Sequence, residues 1–170
     1  HCVQVARQAG KILERFGYSD HEIELVKIAG YMHDIGNAIN RTHHAEYGAL
    51  LANSLLKEMD MPLDDRITIM SAIGNHDEST GSPEDVISAA LIIADKTDVR
   101  RSRVREKERA AFDIHDRVNY AVTESKLKIE KDRSVIALNL QVDEKICSMY
   151  DYFEIFLGRM MLCRKSAEIL

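Results

Sequence analysis

Apart from Ser88, every residue from Val86 to Ala94 is apolar. A helix apolar on nearly all sides has no face for water, so other elements must surround it. The run ends at Asp95, a carboxylate that is costly to bury unless it is paired or metal-bound. Ser82 is expected to cap this helix, with Pro83 at its first position and Asp85 at its third.

The surrounding elements read mostly as helices, and only two prolines interrupt the chain. Val5, Ala9, Ile12, Leu13 and Phe16 recur at helical spacing and predict a first helix over residues 1–16, ended by Gly17. Ser19 and Glu22 form a capping-box signature for a second helix. That helix is expected to bury Ile23, Val26, Ile28, Ala29 and Met32 and to run out at Asp34–Gly36. A third helix is expected over 44–59 with Leu50, Leu51, Leu55 and Met59 inward. Pro62 breaks the chain, and a fourth helix runs over 64–75 through Ile67, Met70 and Ile73. Asn75 to Gly81 is polar and reads as a loop.

After Arg109 the period changes. Leu127 and Ile129, then Ile136, Leu138, Leu140 and Val142, alternate with other residues on either side of the polar stretch Glu130–Ser134. This predicts a β-hairpin. Helical spacing returns from Asp143 through Ile146, Met149, Tyr150, Phe153, Phe156, Leu157 and Met160. The fold class is therefore mainly α: a helical bundle with a C-terminal hairpin and a long final helix. Residues 1–110 would form the core, and 111–170 the hairpin and last helix packed on it in one domain. The length of 170 residues suits a single domain. Met160, Met161 and Leu162 suit a core helix better than a dimer face, and a homodimer stays open.

A net charge of −5 argues against a dedicated binder of long nucleic acid. It leaves room for a small phosphorylated substrate, because bound divalent ions add positive charge that a residue count omits. Cys2, Cys147 and Cys163 are odd in number and unclustered, which suggests neither a disulfide framework nor a cysteine zinc site. A reducing cytoplasm is the expected location, with no membrane partner. The chain starts at His1, without methionine, so it is expected to continue upstream.

Seven histidines occur, and five fall with acidic residues where helices end or begin. His1, His33–Asp34, His44, His76 and Asp95 form an ordered set with the chemistry of a shared metal site. Imidazoles give neutral nitrogen ligands, and one carboxylate can bridge two ions. His21 lies in an exposed first turn, and His115 in a segment that reads as irregular. No serine or cysteine lies in a nucleophile motif.

These segments resemble the HD superfamily of metal-dependent phosphohydrolases. The opening HCVQVA resembles the family's first-ligand helix, and YMHDIGN its signature. HAEYGALLA resembles a histidine-bearing helix start of HD-GYP-type and diadenosine-polyphosphate-hydrolase-type members. IGNHDES resembles their later histidine, and IIADKTDVRR their closing aspartate. The resemblance implies that His1, His33, Asp34 and Asp95 hold one divalent ion. Asp34 would bridge to a second ion on His44 and His76, with His43 as the rival to His44 and otherwise a substrate contact. Iron, manganese or a similar metal would suit such ligands. The implied nucleophile is a metal-activated water, and the implied reaction is hydrolysis of a phosphate ester or anhydride in a small nucleotide-like molecule.

Many relatives carry lysine where this chain has Asn37, a residue placed beside the catalytic pair His33 and Asp34. Lys96 or Arg41 would supply the charge that Asn37 lacks. Arg100 and Arg101 follow Asp95 and suit a phosphate by their planar forks, although a solvated, salt-bridged helix face is the favoured reading of the basic run through Arg109. Two other classes stay open: a diiron oxygenase on the same scaffold, and a non-catalytic regulatory metal-binding domain.

Overall fold

The computed structural model describes residues 1–99, 101, 114–130, 132 and 134–170. Arg100 lies outside them, as do Arg103, Arg105, Lys107 and Arg109. Among the described residues the fold is mainly helical, with seven α-helices and one antiparallel hairpin followed by the final helix. The chain divides into two units, His1–Asp95 with Leu162–Leu170, and Lys96–Met161. No helix among the described residues is long and apolar enough to cross a membrane.

In the first unit, α1 (Cys2–Phe16) packs on α2 (Asp20–Met32), α2 on α4 (Leu63–Gly74), and α4 on α3 (His44–Glu58). Val5, Ala9, Ile12 and Leu13 are fully buried along α1, as their spacing predicts. Gly17 ends the helix at φ 85°, a backbone region that costs glycine nothing. Ser19 then accepts a hydrogen bond from the Glu22 N–H, and the Glu22 carboxylate accepts from the Ser19 N–H at 2.8 Å. This reciprocal box fixes where α2 starts. Gly30 lets α1 and α2 close up, since a Cβ there would stand 2.7 Å from Ala6 Cα.

The expected inward face of α3 is wrong in phase. Leu50, Leu55 and Met59 are exposed, and the buried positions are Ala45, Gly48, Ala49, Ala52 and Leu56. Small residues make this face because a 3-10 turn (Ile35–Ala38) packs directly on α3. A Cβ on Gly36 of that turn would lie 2.0 Å from the His44 carbonyl oxygen. Similarly, Ile67 of α4 is exposed while Ile69, Ala72 and Ile73 are buried.

The helix α5 (Val86–Lys96) starts later than its sequence signals suggest. Asp85, not Ser82, does the capping: its carboxylate accepts from the Ser88 N–H at 2.7 Å, and the Ser88 hydroxyl accepts from the Asp85 N–H at 2.9 Å. From Ile87 onward the helix is buried throughout, as an all-round apolar surface requires.

In the second unit, α6 (Ile114–Ala121) leads into β1 (Val122–Glu130), which pairs antiparallel with β2 (Val135–Val142). The pattern had suggested irregular chain before β1, yet the backbone of His115 lies within α6. The two arms form the hairpin that the period-two alternation predicts, and its register pairs Leu127 with Leu138 and Ile129 with Ile136. A hairpin is marginal alone. Here Leu138, Leu140 and Val142 pack against a core of Val99, Val118, Ala121, Val122, Cys147, Tyr152 and Phe156. The last helix, α7 (Met149–Ala167), does not begin at Asp143. Asp143 instead folds a turn, accepting from the Lys145 N–H on its carboxylate and from the Ile146 N–H on its carbonyl. Ser148 caps α7 by accepting from the Asp151 N–H. Tyr152 and Phe156 are buried, whereas Tyr150, Phe153 and Leu157 face outward.

Candidate metal centre

Three of the clustered histidines are held by one local device. Each donates from Nδ1 to the carbonyl three residues earlier: His33 to Gly30 at 2.8 Å, His44 to Arg41 at 3.0 Å, and His76 to Ile73 at 2.6 Å. The Gly30 and Ile73 carbonyls belong to the last turns of α2 and α4, whose final carbonyls lack helical partners. A carbonyl only accepts, so each Nδ1 carries the proton, and in the neutral ring Nε2 keeps its lone pair. Fixing the tautomer through the far nitrogen is how proteins orient metal-binding imidazoles.

The three Nε2 atoms meet the aspartates and one another. His33 Nε2 is buried without a hydrogen-bond partner, 3.6 Å from both Asp34 Oδ2 and Asp95 Oδ1. His1 Nε2 lies 3.0 Å from Asp95 Oδ1 and 3.9 Å from Asp34 Oδ2. His44 Nε2 lies 3.7 Å from Asp34 Oδ1 and 3.2 Å from His76 Nε2. The carboxylate of Asp34 thus turns one oxygen toward His1 and His33 and the other toward His44.

This donor set fits a cation. Two nitrogen lone pairs facing each other at 3.2 Å repel unless a cation or proton lies between them, and the orphaned His33 nitrogen lacks a positive partner. Asp95 is buried, and a carboxylate there needs positive charge nearby. The ends of α2 and α4 that reach the cluster carry the negative poles of their helices, which also favours a cation. His1, His33 and Asp95 offer ligand atoms within 4.8 Å of one another, and so do His33, Asp34 and His76. These groups are consistent with a divalent metal site.

A model of the HD-domain family matches residues 1–102. The chain belongs to the HD-domain family. It is also 27% identical over 112 residues to Ribonuclease Y of Opitutus terrae, an alignment that covers 66% of this chain and 20% of that protein. The chain therefore spans about a fifth of the length of this curated relative. No solved structure matches it.

The other candidate residues of this HD domain are placed as follows. Asn37 donates from Nδ2 to Asp34 Oδ1 at 2.9 Å, so it holds the carboxylate that faces both groups of histidines. Arg41 contributes its carbonyl to His44, and its side chain is exposed. His43 is exposed, with its ring edge-on to Tyr47 and its Nδ1 3.4 Å from Glu46 Oε1. It adopts φ 61°, an uncommon conformation for a non-glycine residue, immediately before His44. Lys96 is buried at the end of α5. Arg101 lies in the second unit, where its Nε donates to the Tyr120 carbonyl at 2.6 Å and its guanidinium stacks over the Tyr120 ring. His21 pairs with Asp65 at 2.8 Å.

Sequence reasoning passed over Asp77. Its Oδ2 lies 3.6 Å from His44 Nδ1. The signal was its position, directly after a candidate ligand in a short polar loop.

Proposed function

We propose that this HD domain is a metal-dependent phosphohydrolase that binds two divalent ions and cleaves a phosphate ester or anhydride of a small nucleotide-like substrate. The observation that carries the reading is the Asp34 carboxylate, whose two oxygens address two different sets of histidines. His1, His33, Asp34 and Asp95 would hold one ion, and Asp34, His44 and His76 the other. Iron or manganese suits this nitrogen and carboxylate set. Bound ions of this kind activate water and neutralise charge on phosphoryl oxygens.

The chain's own residues do the positioning. The Nδ1 bonds of His33, His44 and His76 keep the Nε2 lone pairs aimed inward. Asn37 holds one oxygen of Asp34 in place. On the sequence alone, Lys96, Arg41, Arg100 and Arg101 are candidate cations for substrate phosphate and His43 a candidate contact.

The likeness to a protein named Ribonuclease Y favours a second reading, in which the phosphodiester lies in an RNA strand. The net charge of −5 favours the small substrate. Phosphate or nucleotide release from a panel of nucleotides, dinucleoside polyphosphates and short RNA, with added Mn(II), tests both. Cleavage of the small molecules alone supports the first reading, and cleavage of RNA alone replaces it with the second. Bound iron with oxygen consumption and no cleavage would move the site to oxygen chemistry.

A further inference from the structure

We propose that Asp77 is a positioning residue for the His44–His76 half of the centre, and that its carboxylate raises affinity for the second ion without affecting the first. The inference rests on the two-ion reading above.

Asp77 follows His76 in the loop after α4 and closes that loop on itself. Its Oδ1 accepts from the Ser79 N–H at 2.8 Å and from the Ser79 hydroxyl at 2.5 Å, and its carbonyl accepts from the Gly81 N–H at 2.7 Å. The closure is tight: a Cβ on Gly81 would stand 2.1 Å from the Asn75 carbonyl oxygen. With Oδ1 engaged inside the loop, the direction of Oδ2 is fixed, and it faces His44 Nδ1 at 3.6 Å. His44 Nδ1 donates its proton to the Arg41 carbonyl at 3.0 Å, and the Asp77 carboxylate lies beside that N–H at 3.6 Å, a charge contact longer than a hydrogen bond. The Arg41 bond sets the plane of the ring, and a negative charge beside the Nδ1–H makes Nε2 a better ligand for a cation.

The effect belongs to one half of the centre. His33 and His76 are enclosed by packing, at 0% and 1% exposure, so their rings are held by their surroundings as well as by Nδ1. His44 opens α3 on a left-handed turn, and its side chain is 14% exposed. It is the ring with more freedom to lose, and it is the one that Asp77 faces. Asp77 also ties the two second-ion histidines together, being bonded in sequence to His76 and facing His44 in space.

Titration of the metal-stripped full chain with Mn(II), following free ion by electron paramagnetic resonance, tests this directly. The wild type is expected to show two binding events. Asp77→Ala is expected to weaken the second by about 10- to 100-fold and leave the first unchanged. Asp77→Asn keeps an acceptor for Ser79, and so the loop, but removes the charge. It is expected to weaken the second event as well, with an unchanged melting temperature in the metal-free state. If Asp77→Asn binds like wild type, the residue only closes the loop and the carboxylate role is overturned. Equal weakening of both events, or no weakening in either variant, overturns it too. A wild type that binds a single ion removes the two-ion reading itself, a failure visible before any variant is compared.

Discussion

The Nε2 atoms of His44 and His76 stand 3.2 Å apart, although both rings already spend Nδ1 on backbone carbonyls. Neutral rings in this tautomer present two lone pairs to each other, which is favourable only with a cation in reach. Metal binding should therefore stabilise the fold. At free Mn(II) about 100-fold above the dissociation constant, the gain is about 2.7 kcal/mol per site, read as a rise in melting temperature. The gain should shrink on acidification, because protons compete with metal for the same Nε2 atoms. His76→Ala should lose part of the metal-induced rise. A full rise in that variant would place the ion elsewhere.

Asn37 holds Asp34 Oδ1 at 2.9 Å but brings no charge. Asn37→Lys should tighten inhibition by inorganic phosphate and lower KM for a phosphorylated substrate. Steady-state kinetics decide the point, and unchanged constants would detach this position from substrate binding.

Gly36 carries a close approach that ties the turn after His33–Asp34 to the start of α3. A Cβ there would meet the His44 carbonyl oxygen at 2.0 Å and the Gly48 nitrogen at 2.6 Å. Backbone must move to admit it. Gly36→Ala should destabilise the fold by roughly 1–3 kcal/mol in denaturant titration and weaken metal binding with it, as expected for overpacking. Wild-type stability would show that the two segments separate easily.

The Ser19 hydroxyl and its backbone N–H hold the Glu22 carboxyl below its ordinary range. A depressed folded value means that the contribution is present above the ordinary carboxylate range and is lost as pH falls through the folded value. Ser19→Ala should cost about 1 kcal/mol at neutral pH. The gap between variant and wild type should narrow under acid, as measured by denaturant midpoints at both pH values.

Much of the local chemistry, where a residue acts on its own neighbours, was legible in the sequence. The Ser19–Glu22 box, the Gly17 stop, the hairpin and the buried α5 all follow from short-range pattern. The candidate set His1, His33, Asp34, His44, His76 and Asp95 comes from residue type and family resemblance, and its clustering depends on contacts between segments remote in sequence. The inward face of α3 did not follow. Leu50, Leu55 and Met59 suggested a core stripe, yet the close approach of Gly36 selects alanine and glycine for that side. The start of α5 was misread because Ser82 and Pro83 look like a cap, while Asp85 and Ser88 cap each other. Asp77 was passed over because its distance to His44 depends on the fold of two segments remote in sequence.

Metal content by elemental analysis, on protein purified without chelator, tests the central claim most directly. It should be measured beside His33→Ala and Asp34→Ala, with phosphate release from a nucleotide panel read on the same samples. The account predicts about two divalent ions per wild-type chain and metal-dependent release. It also predicts that both variants lose metal and activity together. Variants that keep their metal and activity, or a wild type that takes up no metal on reconstitution, would contradict it.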